Sequence, residues 1–119
     1  MDKRILVIER TIRANLKSPP TVEEISAELN ISASRLRQIV KAATGTAFGA
    51  FVRRQRPERA RELLETTFLR TQEVGAAVGI ADQSYFNRLF KEKYGLSPSR
   101  YHAEHCRMFK SAEDSNDAG

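Results

Sequence analysis

One pattern is written twice in this chain, and it restricts the fold more than any other feature. Glu24-Ile25-Ser26 and Asn30-Ile31 correspond to Glu73-Val74-Gly75 and Gly79-Ile80 at an offset of 49 residues. One extra residue, Ala81, then shifts the register. Ser32, Leu36, Ile39, Val40, Lys41 and Gly45 match Asp82, Phe86, Leu89, Phe90, Lys91 and Gly95 at an offset of 50, and Phe51 pairs with Tyr101. Self-similarity at a fixed long spacing marks a duplicated supersecondary unit rather than two chance helices.

Each copy reads as two short helices joined by a tight turn. In the first, Thr21-Val22-Glu23-Glu24 is a capping box, in which Thr21 caps forward and Glu24 reaches back, and the helix it opens runs to about Leu29. Asn30, Ile31 and Ser32 make the connection, Asn being one of the few residues that tolerates a left-handed backbone. Ser32 caps the next helix and Gly45 stops it. Its apolar residues Leu36, Ile39, Val40 and Ala43 stand at i, i+3, i+4 and i+7, which leaves Ser34, Arg35, Arg37, Gln38 and Lys41 facing out. This is the helix-turn-helix pattern. In the second copy Asp82 is the cap and Gly95 the stop. Phe86, Leu89 and Phe90 form the inner face, opposite Gln83, Ser84, Asn87, Arg88 and Lys91. Ser26 and Gly75 fall where the two helices of each copy must approach closely, which gives Gly75 a reason to carry its helix-propensity cost of about 1 kcal/mol.

The flanking segments also read as helices. Residues 1–17 carry Ile5, Ile8, Ile12 and Leu16 as a stripe, ended by Ser18, Pro19 and Pro20. Between the copies, residues 46–68 form a connecting helix with Phe51, Val52, Ala60, Leu63 and Leu64 as its apolar positions. Arg53, Arg54, Arg56, Arg59 and Arg61 lie along it, either as phosphate contacts or as a solvated face balanced by Glu58, Glu62 and Glu65. Pro57 conflicts with an uninterrupted helix, because it lacks an N–H and clashes with the carbonyl of Arg53; either the helix kinks there or a second helix starts at Pro57. Ser97 and Pro98 open a closing helix through about Lys110. The expected organisation is residues 1–45, first helix plus first helix-turn-helix; 46–68, linker helix; 69–110, second helix-turn-helix plus closing helix; and 111–119, a disordered acidic tail.

Charge narrows the partner. The net charge is +5, yet three of the 15 acidic residues, Glu113, Asp114 and Asp117, lie in the last nine positions, which hold no Lys or Arg. Residues 1–110 therefore carry 20 basic against 12 acidic side chains, an excess that suits a polyanion. No stretch approaches the roughly 20 apolar residues needed to span a bilayer, and no signal-peptide pattern follows the first charges. A cytoplasmic, nucleoid-associated location is expected, with no membrane partner. The lone Cys106 agrees, having no disulfide mate and no ligand partners at metal-binding spacing, so neither metal nor cofactor is expected. The polar faces match base edges: Arg offers two parallel donors to guanine O6 and N7, and Asn or Gln offers a donor and an acceptor to adenine.

Taken together, these residues resemble the DNA-binding domain of the AraC/XylS family of bacterial transcription regulators, over roughly residues 5–103. The second half carries the most specific likeness, in G-A-A-V-G-I-A-D-Q-S-Y-F-N-R-L-F-K-E-K-Y-G-L-S-P-S-R-Y. The first half supports it with S-A-E-L-N-I-S-x-S-x-L-R-Q-I-V-K-x-x-x-G and R-x-x-R-A-R-E-L-L. The resemblance implies an all-α, homeodomain-like fold of about seven helices, two helix-turn-helix subdomains joined by a linker helix. Each subdomain would insert one recognition helix into successive major-groove segments of double-stranded DNA. By position it implies base contacts from Ser34, Arg37 and Gln38 and from Gln83, Ser84, Asn87 and Arg88. Backbone contacts would come from Ser32, Arg35, Lys41, Asp82 and Lys91. It departs from the family at Val40 and Ile80, where Phe is usual, at Gly75, usually Ala, and at Pro57, usually a large aliphatic residue.

Helix-turn-helix proteins commonly place two recognition helices about 34 Å apart by dimerising. A chain with both copies could do this as a monomer on a site that need not be palindromic, or as a dimer if a further N-terminal domain dimerises. The expected role is regulation of transcription, with RNA polymerase as a further partner, by a stand-alone small regulator or by the C-terminal domain of a longer ligand-responsive one. Two other classes compete. An enzyme would have to use Cys106 beside His105, but adjacent helical residues point about 100° apart and no acid partner is at hand. An interaction module would bind an acidic protein through the basic face, and its contact with DNA would then depend on salt but not on sequence.

Overall fold

The structure, a computed structural model, describes residues 2–106, and among them it holds seven helices and no strand. These are α1 (Arg4–Ala14), α2 (Val22–Glu28), α3 (Ala33–Thr44), α4 (Phe48–Thr66), α5 (Thr71–Ala77), α6 (Gln83–Tyr94) and α7 (Pro98–His105). They fall into two compact units whose boundary lies inside α4, between Arg56 and Pro57.

In the first unit α3 packs on both α1 and α2. Ile5, Ile8 and Ile12 of α1 meet Val22 and Ile25 of α2, Leu36, Ile39 and Val40 of α3, and Phe51 and Val52 from the start of α4 in one core. Helix α1 is shorter than its apolar stripe. At Asn15 the backbone N–H turns to Ile12 O (3.0 Å) while the side-chain amide donates to Thr11 O (2.9 Å), so the helix ends although Leu16 beyond it is buried. The buried Gln55 accepts from Arg13 Nε at 2.8 Å, and Arg56 Nη2 donates to Leu16 O at 3.5 Å.

The second unit is built from the rest of α4 with α5, α6 and α7. Pro57, Ala60 and Leu64 are buried here at i, i+3 and i+7, the spacing that Ile5, Ile8 and Ile12 have in the first unit. Pro57 thus fills an apolar position, and α4 runs through it as one helix rather than as two. Val74, Val78, Ile80, Phe86 and Phe90 complete the interior, and Phe90 meets Tyr94 at 4.7 Å and Tyr101 edge-on at 5.3 Å. Two arginines of the linker run are held in place: Arg59 pairs with Glu62 (3.1 Å) and Arg61 with Glu65 (2.9 Å), the latter also over the Tyr94 ring. Within the described residues the closing helix ends at His105, Cys106 having extended backbone, and the rest of its expected run to Lys110 lies outside them. The expected acidic tail lies outside the described residues.

The sequence repeat reappears in the backbone. Ile31 N–H donates to Ser26 O (3.0 Å) and Ile80 N–H to Gly75 O (2.8 Å); Gly45 N–H donates to Lys41 O and Gly95 N–H to Lys91 O, both at 2.8 Å. Asn30 (φ 59°) and Gly79 (φ 84°) turn the chain at equivalent points in the left-handed region. The close approach expected at Gly75 is present: a Cβ there would lie 3.1 Å from Ile80 O and 3.2 Å from Phe86 Cδ2.

Candidate nucleic-acid interface

Each unit presents the second helix of its helix-turn-helix with a polar outer face, and the local sequence explains how each is anchored. Helix α3 begins where Ser32 Oγ accepts from Arg35 N–H at 3.0 Å, and it stops at Gly45 with φ 75°. Leu36, Ile39 and Val40 pin its inner side, so Ser34, Arg35, Arg37, Gln38 and Lys41 are all exposed. Arg37 lies 3.8 Å from Glu23, an ion pair exposed on both sides and therefore weak. Arg35 reaches Asp2 at 3.9 Å. Asp2 itself accepts from Arg4 N–H at 2.9 Å and grips its guanidinium at 2.8 Å. The hydrogen bonds from Arg4, side chain first and backbone second, hold the Asp2 carboxyl at a pKa of about 2, with the charges of Arg4 and Arg35 acting in the same direction.

Helix α6 begins where Asp82 accepts from Tyr85 N–H at 3.1 Å, and it stops at Gly95 with φ 82°. The Asp82 carboxylate is thereby occupied as a cap. What this end can offer a phosphate is the backbone it organises. Phe86 and Phe90 are fully buried, while Ser84, Asn87, Arg88 and Lys91 are exposed and Gln83 is half-buried. The Gln83 amide is turned along the helix, donating to Asn87 Oδ1 at 3.2 Å and towards Thr71 Oγ1 at 3.4 Å. Asn87 therefore keeps its amide donors directed away from that bond.

The structure thus puts Ser34, Arg37 and Gln38 on one helix face with the flanking Ser32, Arg35 and Lys41. Gln83, Ser84, Asn87 and Arg88 share another face, flanked by Asp82 and Lys91. Two neighbours escaped the sequence reading. Asp2 tethers Arg35 from a distant part of the chain, and no local signal announces it. Tyr85, whose ring centroid lies 5.7 Å from Arg88 Cζ, stands at i, i+3 from that arginine, a spacing that did carry the signal.

Cys106 and His105 stand in different surroundings. Cys106 is fully buried with its thiol 3.5 Å from Thr67 O, and His105 lies against the Tyr101 ring at 4.4 Å. Among the described residues no helix is long and apolar enough to cross a membrane.

Two helix-turn-helix units, each holding an N-capped second helix with a basic, hydrogen-bonding outer face, define a DNA-binding domain of duplicated type. A family model described as a helix-turn-helix domain matches residues 25–104, and the chain belongs to this AraC-type family of DNA-binding domains. It is 34% identical over 102 residues to the transcriptional activator NphR of a Rhodococcus species, covering 85% of this chain and 30% of that protein. Among solved structures it is similar to the xylose-binding transcription activator xylR, with TM-score 0.79 and 25% identity over 90% of this chain and 28% of the other. It is also similar to the DNA-binding domain of the global transcriptional factor AdpA in complex with a target DNA, with TM-score 0.63 and 25% identity over 87% and 93% of the two chains. The chain spans about a third of the length of the curated relatives it matches.

Proposed function

We propose that the chain binds double-stranded DNA sequence-specifically through α3 and α6 and thereby regulates transcription, each helix entering a segment of major groove. The observation that carries this reading is the pair of outward faces anchored by the Ser32 and Asp82 caps and crowded with donors suited to base edges and phosphates. Ser34, Arg37 and Gln38 read bases in the first unit, and Gln83, Ser84, Asn87 and Arg88 in the second. Ser32, Arg35, Lys41 and Lys91 position the helices on the sugar-phosphate backbone, together with Asp82 through the backbone N–H groups of the helix end it caps. The likeness to a domain solved on its target DNA supports the assignment. Work in the cytoplasm at the nucleoid, contact with RNA polymerase, and DNA binding as a monomer through two motifs complete the proposal.

Selection of random duplexes by the purified chain at near-physiological salt tests it. Enrichment of two short sequence blocks in one duplex, with no palindrome required, is the expected result. A single block would mean that one helix is idle. Binding that depends on salt but enriches no sequence would overturn sequence-specific reading and favour a basic surface for acidic partners.

A further inference from the structure

Helix α6 carries one large side chain that its core does not use. Tyr85 is 47% exposed, whereas its neighbours Phe86 and Phe90 have no exposure at all. Its ring lies by the guanidinium of Arg88, 5.7 Å from centroid to Cζ, at a spacing where side chains of one helix face meet. The surroundings of Arg88 differ from those of three other exposed arginines. Arg37 pairs with Glu23, Arg35 with Asp2 and Arg100 with Glu104. Among the described residues no carboxylate or carbonyl takes the Arg88 guanidinium, which lies over the Tyr85 ring. A ring engages a guanidinium through attraction to its π-face without consuming a fork of N–H donors as a carboxylate would. At the 50-residue offset Tyr85 corresponds to Arg35 and Arg88 to Gln38, so the first unit has no such pair.

We infer that Tyr85 is a positioning residue for Arg88: its ring narrows the orientations of the guanidinium before DNA arrives, leaving the paired donors ready for guanine O6 and N7. This rests on the proposed reading of DNA by α6. An arginine loses rotamer freedom when it binds a base, and a side chain already confined loses less. The effect belongs to one base pair, since one guanidinium reads one base.

The test uses the full chain and duplexes in which each base pair of the selected site is varied in turn. Arg88→Ala first identifies the base pair whose preference depends on that arginine. Tyr85→Ala should then weaken the preference at the same base pair about two- to fivefold, the range expected of an exposed cation–ring contact. Tyr85→Phe should restore it, Tyr85→Leu should behave as Ala does, and Tyr85→Ala should have no further effect once Arg88 is Ala. Equal loss on all duplexes, with Phe no better than Ala, would make Tyr85 a phosphate contact through its hydroxyl and overturn the inference. A preference unchanged by Tyr85→Ala but lost in Arg88→Ala would overturn the inference alone. If Arg88→Ala changed no base preference, the reading of α6 by Arg88 would fail first.

Discussion

A methyl group at position 75 would meet a backbone carbonyl at 3.1 Å and a fully buried ring at 3.2 Å, so the space at this helix crossing is measured in tenths of an ångström. Its counterpart Ser26 fits because its hydroxyl folds back on Glu23 O at 3.0 Å. Gly75→Ala should therefore change stability by less than about 1 kcal/mol, since a helix-propensity gain of that size is opposed by the tight contacts. Gly75→Val adds two more carbons and a β-branch where the Ile80 carbonyl cannot retreat, and should cost at least about 2 kcal/mol. Denaturant melts of the two variants decide it. A neutral Val variant would mean that α5 shifts freely and that the crossing is not constrained. The need for a small residue at this point was legible because it follows from the motif. Asp2 and its grip on Arg35 were not, because they join segments more than thirty residues apart.

At the scale of elements, what the sequence states locally it states well. The Ser32, Asp82 and Ser97 caps each close through a bond to an N–H three residues on, and the Thr21–Glu24 box is complete. Arg70 opens α5 with half a box: its N–H donates to Glu73 Oε1 at 3.0 Å, but an arginine has no acceptor to return. Helix ends that depend on competition are less legible. Leu16 continues the stripe of α1 after Asn15 has already diverted the backbone. Pro57 is the sharpest case, a helix breaker tolerated within α4 because it occupies a buried apolar position of the second unit. Pro57→Leu should regain the hydrogen bond to Arg53 O. Against the roughly 3 kcal/mol cost of an interior proline stands the strain of a larger side chain, about 1 to 3 kcal/mol, so a net gain of about 1 kcal/mol is expected. Chemical denaturation measures it. A net loss would mean that the ring itself is part of the packing. The outward faces of α3 and α6 were equally readable from periodicity. The Tyr85–Arg88 pair was overlooked although it is local, because a division into apolar and polar faces assigns an exposed aromatic to neither.

At the scale of the whole chain, two units with their own interiors share one helix, and only one of them contains sulfur that can react as a thiol. Cys106 is the single cysteine, and it is fully buried in the second unit beside Thr67 O. A maleimide reaches such a thiol only when the surrounding structure opens, and labelling in that regime follows the population of the open form. Phe86→Ala, which empties a ring-sized volume in the same unit, should cost about 3 to 5 kcal/mol and speed labelling by more than about 100-fold. Rapid labelling of the wild type under native conditions would mean that the second unit is open much of the time. The expected slow labelling makes Cys106 an internal clock: without any added dye or engineered handle, one sulfur atom times the opening of one half of a duplicated fold.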